Sequence, residues 1–250
     1  MADKFELEIC LDSVASCIAA QEGGADRVEL CDNLFEGGTT PSAGTIRVAR
    51  ERIGIELAVM VRPRGGDFLY SEDEVQIMEN DIDTAIELGA DTVVFGLLQA
   101  DGQIDHDNTS RLMERVNGRC KVTFHRAFDV SRDLDEALEA LIGLGVDRIL
   151  TSGGEPSVLE GSDVLADLVR KSAGKVMIMA GCGINLRNFD RIRKLVGAPA
   201  YHMTASKQIE SAMQFRNDRC FMGKALFPPE FLLSQVDSSK VTQFNTRRTS

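Results

Sequence analysis

No apolar run in the chain approaches the ~18 consecutive residues that a membrane-spanning helix needs, so a transmembrane reading is excluded. The opening residues, Met1-Ala2-Asp3-Lys4-Phe5-Glu6, lack the basic region followed by an apolar one that marks a signal peptide. The six cysteines, at 10, 17, 31, 120, 182 and 220, include no Cys-x-x-Cys, which removes zinc-ribbon and thioredoxin readings. All six are expected as free thiols in a reducing, cytoplasmic setting, where structural disulfides are rare. Positive charge is also short: 28 Lys and Arg against 39 Asp and Glu leave a net charge of −11. Such a surface repels phosphate backbones and anionic lipid, so nucleic acid and membranes are poor partners. Finally, no Gly-x-Gly-x-x-Gly follows the first strand-like run, and a dinucleotide fold loses its main signature.

What is present is a repeat. Gly24-Ala25-Asp26, Gly89-Ala90-Asp91, Gly145-Val146-Asp147 and Gly197-Ala198-Pro199 each stand between a helical pattern and a strand-like run. A glycine there suits a left-handed helix C-cap before a strand begins. Four more apolar runs, Leu7 to Cys10, Leu57 to Arg62, Val122 to His125 and Val176 to Ala180, lie between them. Strand starts near 6, 27, 56, 92, 121, 147, 176 and 200 follow. Ser71 and Glu74 form a capping box ahead of Val75, Met78, Ile82 and Ile86. Leu134, Ala137, Leu138, Leu141 and Ile142 mark one face of another helix. Alternating strands and helices imply a parallel sheet, and eight units favour a closed (β/α)₈ TIM barrel. The whole chain, 1–250, is expected as a single TIM-barrel domain. Residues 206–235 read as an elaborated final loop, and 236–250 as the last helix, near Ser238 to Asn245, and a tail.

In such barrels function sits where the strands end. Strand side chains alternate between faces. Leu7 and Ile9 toward the helices therefore turn Glu8 and Cys10 inward, and Val28 and Leu30 do the same for Glu29 and Cys31. The matching patterns set Glu8 beside Glu29 and Cys10 beside Cys31, with the two thiols one step nearer the mouth. Other strand ends supply Arg62 and Arg64, His125 and Arg126 with Asp129 nearby, Thr151 and Ser152, Gly181-Cys182-Gly183, and His202. His106, among Asp101, Asp105 and Asp107, reads as a solvated loop residue, and Met177 and Met179 as barrel filling. Cys17, Cys120 and Cys220 have no evident partner. Free cysteine is among the most buried residue types, so Cys10 and Cys31 read equally as small core residues. Glu8, Glu29, Arg62 and Arg64 read equally as an internal ion-pair network.

These residues also carry a resemblance. Ala25-Asp26-Arg27-Val28-Glu29-Leu30-Cys31, Glu36-Gly37-Gly38-Thr39-Thr40-Pro41-Ser42, Arg62-Pro63-Arg64-Gly65-Gly66-Asp67-Phe68 with Tyr70-Ser71, and Val122-Thr123-Phe124-His125-Arg126-Ala127-Phe128-Asp129 resemble the CutC family. Leu150-Thr151-Ser152-Gly153, Met179-Ala180-Gly181-x-Gly183 and Phe215-Arg216-Asn217 continue the match in order, and the tail after Phe221 matches less clearly. The family is usually described as copper homeostasis proteins, so the resemblance implies a cytosolic, homo-oligomeric TIM barrel associated with Cu(I). Thiolates are soft ligands that suit that ion, with Cys10 and Cys31 as the pair and Cys182 or Met60 to complete it. The rival expectation is an enzyme for a small anionic or phosphorylated metabolite. There Glu8, Glu29, His125 and His202 exchange protons while Arg62, Arg64, Arg126, Ser152 and the Gly181 and Gly183 amides hold the anion. Arg62 would act as a bidentate clamp and His125 would titrate near neutrality.

Overall fold

The computed structural model describes residues 5–217, 219 and 232–248. Its elements alternate as expected: β1 (Glu6–Leu11), α1 (Val14–Glu22), β2 (Arg27–Leu30), α2 (Ala43–Arg52), β3 (Glu56–Met60), α3 (Glu72–Glu87). They continue with β4 (Thr92–Phe95), α4 (His106–Val116), β5 (Lys121–Phe124), α5 (Leu134–Leu144), β6 (Arg148–Thr151) and α6 (Ser162–Ser172). The barrel ends with β7 (Met177–Gly181), α7 (Phe189–Val196) and β8 (Ala200–Met203). β1 to β8 close on themselves in sequence order, β8 pairing in parallel with β1. The fold is a TIM barrel.

Local signals account for the boundaries. Ser71 accepts from the Glu74 amide while Glu74 bonds back to Ser71, so the capping box starts α3 as its sequence requires. Gly145 and Gly197 end α5 and α7 in the left-handed conformation, releasing the chain into β6 and β8. Outward strand residues such as Leu7, Ile9, Val28 and Leu30 are fully buried against the helices and form the main core with Val75, Met78 and Ile82.

The barrel interior is different. Two small apolar clusters, Cys10–Cys31–Ala58–Met60–Val94 and Leu150–Met179–Ala200, are separate from the main core. Met179 is thus barrel filling, and Met177 packs beside it. Charge occupies much of the remainder. Arg27, 1% exposed, pairs through Nε with Glu8, donates from Nη1 to Glu56 (2.8 Å), and from Nη2 to Thr123 (3.3 Å). Thr92 donates to the same Glu56 oxygen (2.8 Å), and Arg148 pairs with Glu6 (2.6 Å).

The register corrects one expectation. Glu8 lies opposite Arg27 and Cys10 opposite Glu29, rather than Glu8 opposite Glu29 and Cys10 opposite Cys31. Closing a sheet into a barrel tilts and staggers its strands, so like positions of neighbouring strands sit at different heights. Glu29 stands level with Cys10.

After β8 the chain forms β9 (Ser206–Glu210), which pairs antiparallel with β10 (Leu232–Val236), and then α8 (Ser238–Thr246). α8 packs Phe244 edge-on against Phe189, centroids 5.2 Å apart. Cys220, Phe221 and the Pro228-Pro229 pair lie outside the described residues. Among the described residues no helix is long and apolar enough to cross a membrane.

Candidate functional site

A cavity of about 220 Å³ opens at the ends of the strands, lined by residues of five of them and of the loops that follow β2, β3 and β5, among them Cys10, Glu29, Met60, Arg62, His125 and His202. Glu8 lies just beneath. His202 Nδ1 and Glu8 Oε1 are 2.6 Å apart, and His202 Nε2 is 4.0 Å from Glu29 Oε2. Burial pushes the Glu8 carboxyl up, but Arg27 and the His202 hydrogen bond outweigh it and hold the group at about 2. Glu29 is pushed well above the ordinary carboxyl range by burial and by the neighbouring Cys10. The two adjacent carboxyls thus shift in opposite directions: both are buried, but one faces an arginine and the other faces Cys10. His202 is raised against the effect of its burial, chiefly by Glu29 and Cys10.

The thiols lie inside this charge pattern. One ligand atom from each of Cys10, Glu29 and Cys31 can gather within 4.8 Å, and so can one from each of Glu8, Glu29 and His202. A hydrogen bond from Cys31 is the largest influence on Cys10, and with His202 it brings the thiol down to about 5 despite burial. Cys31, the donor, is pushed up correspondingly, and its sulfur lies 3.6 Å from Glu29 Oε2. Cys17 and Cys120, on which burial is the largest influence, are instead raised to about 12 and about 11. Met60 packs in the same cluster as Cys10 and Cys31. Cys182 does not join them: its thiol donates to the Pro156 carbonyl at 3.1 Å.

Several expected anion-holding groups have protein partners instead. Arg62 donates from Nη1 to the Glu36 and Gly38 carbonyls (2.7 and 2.8 Å) and from Nη2 to the Gly66 carbonyl (2.8 Å). Its terminal nitrogens tie loops together, which commits three of their four N–H donors to the fold. Arg64 pairs with Glu74 and Asp67 and is absent from the cavity lining. Arg126 reaches the rim while Asp129 holds its Nε (2.7 Å) and Ser152 its Nη2 (2.8 Å). Ser152 is fully buried and also donates to the Glu155 carbonyl. Gly181 and Gly183 lie off the lining; a Cβ at Gly181 would fall 2.5 Å from Leu150 Cδ1 and 3.0 Å from the His202 Cβ, so this glycine leaves room for both side chains.

His125 departs furthest from expectation. Its Nδ1 accepts from the Ala127 amide at 3.1 Å, its ring lies 4.9 Å from Phe68, and it is 4% exposed. Burial, aided by the Arg62 charge, lowers it to about 3. It is therefore a neutral imidazole at physiological pH, not a proton carrier near neutrality. Gly96 makes room for it, since a Cβ there would fall 2.5 Å from Nδ1. Gly96→Ala is expected to destabilise the fold by about 1–3 kcal/mol through overpacking, measured as a drop in urea midpoint with an unchanged slope. His106, exposed and opening α4, stands apart from the site. The site residue that the sequence reading passed over is Arg27, which the same alternation that turns Glu29 inward also turns inward.

The CutC family model matches residues 5–207. A Homo sapiens protein named copper homeostasis protein cutC homolog is 45% identical over 244 residues, covering 98% of this chain and 89% of its own. A family protein CutC of Bacteroides fragilis is 50% identical over 228 residues, covering 91% of this chain and 90% of its own. The crystal structure of a CutC from Streptococcus agalactiae shares 36% identity at a TM-score of 0.76, over 80% of this chain and 98% of that one. A phosphoribosylanthranilate isomerase from Thermotoga maritima, 13% identical at a TM-score of 0.57 over 98% of both chains, shares the fold alone. With the motifs around Glu29, Arg62 and His125 falling at one barrel mouth, and identity extending over nearly the whole chain, this protein belongs to the CutC family.

Proposed function

We propose that the chain binds one Cu(I) ion through Cys10 and Cys31 and serves copper homeostasis in the cytosol. The observation that carries this reading is the sulfur cluster itself: two cysteines and Met60 packed together at the barrel mouth, with Cys10 held near 5. Thiolate and thioether are soft donors and fit a soft monovalent ion. Cys10 is held well below the ordinary thiol range, and Glu29 beside it is pushed well above the ordinary carboxyl range. The five described cysteines are all free thiols, as a reducing compartment requires. Apolar side chains such as Phe35, 74% exposed, and Phe215, 78% exposed, support assembly with further copies of the chain. The enzyme reading has less support, because Arg62 and Arg64 already have protein partners and His125 is neutral.

Anaerobic titration of the reduced protein with Cu(I) is expected to saturate near one ion per chain. Cys10→Ser and Cys31→Ser should each lower the affinity sharply, whereas Cys120→Ser, on a half-buried thiol remote from the cluster, should match wild type. Equal affinity in all three variants would remove the strand-end pair from the metal site.

A further inference from the structure

Cys10 and His202 both line the mouth cavity and both keep exposed surface in it, 8% of the cysteine and 13% of the histidine side chain. β1 and β8 place them: His202 lies opposite Glu8, and Cys10 follows two residues along β1 on the same inward face. Glu8 Oε1 engages His202 Nδ1 at 2.6 Å. A carboxylate is an acceptor, so Nδ1 turns its proton toward Glu8. Nε2 is left for the Cys10 sulfur, with which the ring is hydrogen-bonded. Cys31 donates to the same sulfur. A nucleophile, a base within reach of it and a third group that orients the base are the parts of a covalent catalyst.

A thiol that only fills the core needs no such partners, and a buried carboxylate–histidine pair is costly to keep. The cavity narrows the reactant. At a water's share of ~30 Å³, its volume of about 220 Å³ is roughly seven waters' worth, enough for a short acyl group with its leaving group toward the opening. Met60, Phe68 and Leu150 supply apolar wall. Arg126 lines the same space: Asp129 and Ser152 engage its Nε and Nη2, and among the described residues Nη1 has no partner. A cationic N–H is thus available for charge that develops on a carbonyl oxygen. Glu29 and Glu36 on the lining oppose an anionic reactant, which favours a neutral acyl compound over a carboxylate or a phosphate ester.

We propose that Cys10, His202 and Glu8 form a nucleophilic triad that hydrolyses small neutral esters or thioesters through a thioester on Cys10. The Cys10 sulfur attacks the carbonyl carbon, the bond to the leaving oxygen or sulfur breaks, and the proton at His202 Nε2 passes to the leaving group. Water then returns a proton to Nε2 and adds its oxygen to the same carbon. The C–S bond breaks, the sulfur recovers its electron pair and the acid departs. Glu8 is a positioning residue, holding the ring from Nδ1. The inference goes beyond metal binding, and metal-free protein tests it apart from copper.

The test treats the reduced, metal-free full chain with p-nitrophenyl acetate near neutral pH and locates acetylated cysteines by peptide mass spectrometry. A burst of p-nitrophenolate near one per chain is expected, followed by slower turnover, with the acetyl group on Cys10. Folding should speed acetylation of Cys10 about tenfold or more relative to the same chain in urea. It should slow that of Cys17, a fully buried thiol outside the cavity. His202→Gln should slow the burst about 100-fold, Glu8→Gln should lower kcat with KM unchanged, and Cys120→Ser should match wild type. The comparison of folded with unfolded wild type needs no variant to fold. The proposal is overturned if folding protects Cys10, if the acetyl group spreads evenly over the cysteines or stays on Cys10 without turnover, or if His202→Gln acetylates Cys10 as fast as wild type.

Discussion

Arg27→Met is expected to cost about 3–5 kcal/mol of folding stability, the range for removing one partner of a buried ion pair. Arg27 is 1% exposed, and it neutralises Glu8 at the floor of the mouth while holding Glu56 and Thr123. Methionine fills much of the same volume but leaves the Glu8 carboxylate in the barrel with His202 and only the weaker influence of Arg148. Without the arginine, burial would push the Glu8 carboxyl up from its present value of about 2. The deficit should therefore be largest near neutral pH and shrink where Glu8 can take up a proton. For a domain of this length the loss corresponds to a fall in Tm of roughly 6–20 °C. Pairing the change with Glu8→Gln should recover much of it, because a neutral amide does not need a buried cation. Urea unfolding of both variants would check this, and a single-variant change within about 1 kcal/mol would show that Arg27 is not the counter-ion on which Glu8 depends.

Arg27 also shows what could and could not be read along the chain. The β/α alternation and the glycine C-caps are local signals, and the structure places the strand starts within a residue of the expected positions. The inward direction of Glu8, Cys10, Glu29 and Cys31 follows from alternation alone. Heights within the barrel do not, because stagger is a property of closure, so Glu29 beside Cys10 emerged only from the register. Partners were less legible still. The carbonyls that occupy Arg62 come from residues 36, 38 and 66, on two different loops, and no spacing rule links them. The state of His125 likewise depends on the burial of its ring under Phe68 and near Arg62, which a strand-end position does not reveal.

That buried histidine should dominate one part of the acid response. His125 is held at about 3 against an ordinary 6.5, so the folded protein keeps it neutral while the unfolded chain protonates it below pH 6.5. The unfolded state then binds the extra proton, and stability falls as pH drops through this window. The slope approaches about 1.4 kcal/mol per pH unit. Glu29 acts in the opposite sense, since its raised pKa keeps a proton on the folded protein that the unfolded chain releases above 4.5. Wild-type stability alone would therefore blur the two. The difference between wild type and His125→Gln removes Glu29 from the comparison, because both proteins carry it. Between pH 6.5 and pH 4.5, above the range in which Glu8 titrates, the variant should gain about 2–3 kcal/mol relative to wild type. Urea unfolding at several pH values in that interval measures the gain directly. Parallel stability curves would mean that His125 takes up its proton in the folded state as readily as in the unfolded one, and that the mouth is more open to water than its packing under Phe68 implies.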